Sequence, residues 1–198
     1  MAQPALTVGA DGVARCSWGD STELYRVYHD TEWGRPAGDD RTLFEKLSLE
    51  GFMSGLSWLT ILGKRDAFRA AFRDFEPERV ARFSQRDVSR LMGDAAIVRN
   101  RAKIEATINN SRRCSEIVSE FGSFAAYAWS YEPKRRTEGI PDEAVAMSKD
   151  LRRRGWAFVG PTTVHSFMQA MGLVNDHAPG CAAGAEVARL RRVFVRPK

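Results

Sequence analysis

No run of about 18 apolar residues occurs in the 198-residue chain, so a transmembrane helix is excluded. The first fifteen residues lack the basic-then-apolar order of a signal peptide, and a cytoplasmic protein without a membrane partner is expected. Cysteine is scarce. Three thiols are an odd number, which argues against a disulfide framework and leaves free cysteines or metal ligands. Alternating strand segments, internal repeats, low-complexity tracts and long linkers are also missing, so neither a sheet-based fold nor a repeat array is expected. A hydrophobic content of 43% excludes disorder as the main state.

Helical spacing dominates what remains. Leu43, Phe44 and Leu47, then Leu59 and Leu62, then Phe68, Phe72 and Phe75 recur as one helical series that Pro77 ends. Ser84 can cap a helix holding Val88, Leu91 and Met92, and Gly93 with Asp94 breaks it before a second helix holding Ile97, Ile104 and Ile108. Pro141 starts a further helix that stops at Gly155, and a final one is expected from about Pro161 to Met171 with Gly172 as its cap. The fold class is therefore all-α. Residues 1–15 read as a flexible lead, 16–184 as the helical domain and 185–198 as a basic tail. The formal charge of +5 is uneven, because the stretch from Lys149 onward holds nine basic and three acidic residues. An anionic partner suits that distribution.

Glu50 is the most informative residue. If its segment is helical, it shares a face with Leu43, Leu47 and Ser54, where an apolar residue is expected, and a buried carboxylate costs several kcal/mol unless it is paired. A fraying helix end would let it reach water instead. Trp18, Tyr25, Tyr28, Trp33, Phe52 and Trp58 supply rings nearby in sequence. Such rings are commonly core packing, yet a carboxylate among ring faces is also what holds a flat, cationic heterocycle.

Cys16 and His29 lie near the start of the domain, His177 and Cys181 near its end. Two thiolates and two imidazoles would complete a closed tetrahedral Zn²⁺ site; on spacing alone, unrelated buried cysteines and histidines are the more ordinary account of them. The region 85–113 reads as helix, short turn, helix, with Arg99, Arg101, Lys103, Arg112 and Arg113 on the second element. A solvated helix face explains such charge, and so does phosphate binding at the second helix's N-terminus.

Taken together, Cys16-Ser17-Trp18, Tyr28-His29-Asp30-Thr31-Glu32-Trp33-Gly34, Leu49-Glu50-Gly51, Gly55-Leu56-Ser57-Trp58, Lys103-Ile104, Phe158-Val159-Gly160 and the stretch Ser166 to Cys181 resemble the DNA-3-methyladenine glycosylase I family, from about Cys16 to Cys181. The resemblance implies a helix-hairpin-helix DNA glycosylase that excises 3-methyladenine from alkylated double-stranded DNA. It implies one structural Zn²⁺ held by Cys16, His29, His177 and Cys181, Glu50 as the catalytic carboxylate, and a base pocket of Trp18, Tyr25, Tyr28, Trp33, Phe52, Met53 and Trp58. DNA contacts would come from Gly55, Leu56, Gly93, Arg99, Arg101 and Lys103. A monomer is expected, handing its abasic product to an endonuclease. No lyase step is expected, since no lysine falls within the motif segments around the proposed pocket. Phe52 and Met53 stand where relatives often carry glutamine, and Ala96 precedes Ile97 where glycine is common. Two alternatives follow from those departures: a zinc-stabilised DNA-binding module without catalysis, or a glycosylase for another damaged base.

Overall fold

The computed structural model describes residues 5–135 and 138–198. The N-terminal lead differs from expectation, because residues 6–16 form a β-hairpin, β1 (Leu6–Val8) against β2 (Ala14–Cys16), with Leu6 opposite Cys16. Its turn is built on Asp11-Gly12, where the Asp11 carboxylate accepts the Val13 N–H at 3.1 Å, a turn chemistry readable in the sequence.

The remainder is helical. The elements run α1 (Glu23–Thr31), α2 (Asp40–Met53), α3 (Trp58–Leu62), α4 (Arg65–Ala71), α5 (Pro77–Ala81), α6 (Gln85–Gly93), α7 (Arg101–Phe121), α8 (Phe124–Trp129), α9 (Asp142–Arg153), α10 (Pro161–Ala170) and α11 (Ala182–Val193). No helix among the described residues is long and apolar enough to cross a membrane. Thr22, Asp39, Ser57, Asn100 and Ser123 cap α1, α2, α3, α7 and α8 by accepting backbone N–H groups.

Helix α2 is the axis of the core. Every residue from Leu43 to Phe52 is buried, and α3, α7, α8 and α10 pack around it. A helix buried on all sides has no solvent face for its charges, so Glu45 pairs with Arg69 at 2.8 Å and Glu50 with Lys46 at 2.8 Å. Glu50 is thus held inside the protein and does not fray into water.

Two further expectations change. Ile97 is buried but lies in the connection between α6 and α7, which anchors the hairpin to the core before α7 begins at Arg101. The helix ending near Met171 is followed by α11, which covers much of the expected basic tail; beyond it, Arg196 folds back beside Arg191 onto Glu132 at 2.9 Å. Its Ala- and Gly-rich start carries few large apolar side chains, which hides the helical period.

Candidate active site

Glu50 sits one turn before the C-terminal end of α2, 4% exposed. Lys46, one turn earlier, places its ammonium 2.8 Å from Glu50 Oε1, donates to the Tyr28 hydroxyl of α1 at 2.8 Å, and lies 3.2 Å from a ring centroid of Trp58. Trp58 opens α3, where the Ser57 hydroxyl accepts the Thr60 N–H at 3.2 Å and fixes the helix start. Glu50 Oε2 and Trp58 Nε1 are buried without a hydrogen-bond partner. Burial lowers the Lys46 pKa against the pull of Glu50, and burial raises that of Tyr28, with Glu50 adding to the rise.

The rings form a continuous path. Tyr28 and Trp58 are 5.5 Å apart, Trp18 lies 6.4 Å from Tyr28 and 5.5 Å from Tyr25, and Trp33 lies 5.0 Å from Trp18. Trp33 then meets the His177 ring at 4.6 Å, so the path ends on a cluster of Cys16, His29, His177 and Cys181.

The four donor atoms of that cluster lie within 4.8 Å of one another, all buried. His177 Nδ1 is 3.3 Å from Cys181 Sγ and 3.7 Å from Cys16 Sγ, and His29 Nε2 is 3.5 Å from Cys181 Sγ. A tetrahedral ion with metal–sulfur bonds of about 2.3 Å and metal–nitrogen bonds of about 2.0 Å sets sulfur and nitrogen about 3.5 Å apart, so the spacing fits. Outer contacts orient the donors. His29 Nδ1 is 2.7 Å from Asp30, which Arg15 holds at 2.9 Å; His177 Nε2 is 3.3 Å from the Trp33 carbonyl; and Cys16 Sγ accepts the Ala178 N–H at 3.2 Å. Burial lowers His177 to about 4, which leaves a neutral imidazole with a lone pair for a metal. Gly19 and Gly184 permit this closeness: a Cβ at either would stand 2.5 Å from the His29 ring or 2.6 Å from His177 Cβ.

Residues 18–184 match the family described as methyladenine glycosylase. The chain belongs to the methyladenine glycosylase family. DNA-3-methyladenine glycosylase 1 of Escherichia coli is 44% identical over 177 residues, 84% of this chain and 95% of that protein. The Haemophilus influenzae DNA-3-methyladenine glycosylase is 38% identical, with 84% and 96% covered. A solved structure of the Staphylococcus aureus 3-methyladenine DNA glycosylase I, concerned with 3-methyladenine recognition, superimposes with a TM-score of 0.80 at 38% identity, covering 93% of this chain and 97% of that one.

Within this family member, the expected site residues divide. Glu50, Tyr28, Trp58, Trp18 and Tyr25 come together. Trp33 packs on His29 and His177 of the Cys/His cluster and reaches Tyr28 only through Trp18. Phe52 is core: it lies 4.7 Å from Phe68 and 5.8 Å from Phe72, because two residues along a helix turn about 200° away from Glu50. Met53 is half-buried against the same core. Lys103 is no surface cation; its ammonium is buried and donates to the carbonyls of Phe52 at 2.9 Å and Ser54 at 2.6 Å. Gly55, with φ +77°, and Leu56, 44% exposed, form a protruding loop between α2 and α3. Gly93, Arg99 and Arg101 are exposed around the α6–α7 connection. Lys46 lies outside the motif segments yet reaches the Glu50 carboxylate, so the expectation of a pocket without lysine is corrected. On paper it resembles a solvated helix charge; only the complete burial of α2 turns it inward.

Proposed function

We propose that the chain is a DNA glycosylase that flips 3-methyladenine out of alkylated duplex DNA and hydrolyses its N-glycosidic bond, the first step of base excision repair. The observation that carries this reading is the Glu50–Trp58 pair, a buried carboxylate and a ring face closing on a cation. Methylation at N3 makes adenine cationic, so the base leaves neutral and needs little protonation. Glu50 then recognises the base by hydrogen bonding and stabilises positive charge as the sugar becomes oxocarbenium-like, a contribution larger in the transition state than in the ground state. Flipping costs a few kcal/mol of unstacking, less for a damaged base. Leu56 supplies the apolar group to fill the vacated stack, and Arg99 and Arg101 at the start of α7 supply phosphate contacts.

Zn²⁺ is the ion that the two-thiolate, two-imidazole donor set suits, held by Cys16, His29, His177 and Cys181. With four protein ligands it leaves no position for substrate and serves structurally, tying the hairpin and α1 to the segment before α11. The enzyme acts as a cytoplasmic monomer on nucleoid DNA and passes its abasic product to an endonuclease. A module without catalysis is disfavoured, since the Phe52 and Met53 differences that suggested it lie in the core and against it.

Incubation with methylated DNA, with the released bases identified, tests the reading: 3-methyladenine release by the natural protein and its loss in Glu50→Gln are expected. No release by the natural protein overturns the glycosylase reading, and unchanged release by the variant overturns the role of Glu50.

A further inference from the structure

The Lys46 ammonium occupies the position a cationic base would take. It is 2.8 Å from Glu50 Oε1, 3.2 Å from a Trp58 ring centroid, and 2.8 Å from the Tyr28 hydroxyl. Glu50, Lys46 and Tyr28 are each buried. Two independent features show that this arrangement is incomplete as a purely structural contact: Glu50 Oε2 and Trp58 Nε1 are buried and unpartnered, leaving an acceptor and a donor that the ammonium does not use. A ligand that is cationic and carries both an amino donor and ring-nitrogen acceptors would replace what Lys46 gives and add what it cannot.

We propose that Lys46 is a built-in placeholder for the cationic base, and that a flipped base enters by exchanging with its ammonium. The inference rests on the glycosylase reading and deepens it, making Lys46 a specificity-determining residue of the same site. Two cations between one carboxylate and one ring would repel, so the ammonium must leave as the base arrives. Other groups acting on Lys46 are Glu32 of the α1 C-terminus, which attracts it, and Arg65 of α4, which repels it while pairing with Glu32 at 2.9 Å. The long, unbranched lysine stem lets the ammonium swing away from Glu50, and Glu32, though paired with Arg65, is a second carboxylate that attracts it. In the closed state the placeholder keeps Glu50 paired and the site filled. Affinity for the base is reduced by the fraction of time the ammonium is in place, and removing the ammonium restores it.

The test uses the intact protein and two small probes that cannot react: 3,9-dimethyladeninium, a permanent cation with a methyl group in place of the sugar, and neutral 9-methyladenine. Calorimetric titration of the natural protein and Lys46→Met, which keeps length and apolar bulk, reads the exchange. The variant is expected to bind the cation roughly tenfold or more tightly than the natural protein does, the factor set by a placeholder present at least nine-tenths of the time. Both proteins are expected to bind the neutral probe weakly.

A second measurement needs no variant. Reductive methylation of the natural protein, read by peptide mass spectrometry, is expected to leave Lys46 protected alone and to label it when 3,9-dimethyladeninium saturates the site. Should Lys46→Met not fold, the labelling decides alone. Unchanged or weaker cation binding by the folded variant, or Lys46 equally protected with and without the cation, overturns the exchange. Failure of both proteins to bind the cation while the natural protein still releases 3-methyladenine from methylated DNA also overturns it and leaves the glycosylase reading intact. Absence of base release removes that reading itself.

Discussion

Lys103 of α7 donates its ammonium to the main-chain carbonyl of Phe52, 2.9 Å away on the far side of a helix that carries Glu50 two residues earlier. A second donation reaches the Ser54 carbonyl at 2.6 Å. Carbonyls at a helix C-terminus lack intrahelical donors, and a buried cation there satisfies them and opposes the helix dipole. The expectation that this lysine grips phosphate is replaced by a structural role next to the turn that carries Glu50.

Replacing it with methionine should therefore weaken the protein rather than its grip on DNA. Lys103→Met is expected to cost about 1–3 kcal/mol, the range for leaving buried polar groups unsatisfied. Urea denaturation measures that loss, and the salt dependence of DNA binding should be unchanged.

The opposite pattern is expected at the start of α7. Arg99 is exposed, and Arg101, with a side chain 53% exposed, makes only a surface ion pair with Glu105 at 3.2 Å. Arg99→Gln and Arg101→Gln should leave stability within about 0.5 kcal/mol. Each should weaken binding to any duplex sequence and reduce the slope of log affinity against log salt by about 0.9. Fluorescence anisotropy over a salt series reads both quantities. Arg112 and Arg113 give no such effect, because they lie about 16 Å further along the helix axis. Arg112 is bound to the carbonyls of Ala81 and Phe83, and Arg113 to Glu116.

Leu56 is an exposed apolar side chain on the loop beyond the buried end of α2. Leu56→Ala removes little buried surface, so denaturation should change by less than about 0.5 kcal/mol. If Leu56 fills the gap left by the flipped base, release of 3-methyladenine from duplex DNA should fall several-fold. Release from single-stranded DNA, which has no stack to mend, should stay close to that of the natural protein.

Local pattern carried the site further than the fold's outline. Glu50 is legible as a charge on an apolar stripe, and the Cys/His cluster as two Cys/His pairs at opposite ends of the chain. What the stripe could not reveal was that α2 is buried on every side. That fact converts Lys46 from a surface charge into Glu50's partner and sends Phe52, adjacent in sequence to the site, into the core instead. The hairpin of β1 and β2 was missed because three-residue strands are too short to alternate visibly. Helix α11 was missed because alanine and glycine at its start give no period. Both lie against the Cys/His cluster, where close backbone approach selects small residues over apolar ones.

Lys46 also bears on the reaction after the base has left. A Schiff base to the abasic sugar needs an amine lone pair, and this nitrogen is held as an ammonium donating to Glu50 and Tyr28, although burial lowers its pKa. Borohydride reduction during incubation with abasic DNA is therefore expected to trap no covalent complex. A trapped complex that disappears in Lys46→Met would show a lyase step and reassign the lysine as a nucleophile.

Metal uptake supplies the last prediction, with a sign fixed by burial. In the metal-free protein, burial pushes the Cys16 thiol up to about 12, so at neutral pH it carries its proton. His177, lowered by burial to about 4, is already neutral there. A metal takes thiolate and neutral imidazole, so Zn²⁺ binding must expel the Cys16 proton and none from His177. Protein stripped with a chelator at pH 7, then titrated with Zn²⁺ in weakly buffered solution, should acidify the medium by at least one proton per ion bound. The same protein should regain thermal stability as it binds, since an ion held by those four residues would tie segments distant in sequence and stabilise only the folded state. Cys16→Ser should lose both the acidification due to that thiol and most of the thermal gain. A natural protein that binds no stoichiometric Zn²⁺, or binds it without releasing protons, would contradict the assignment of Cys16 as a thiolate ligand.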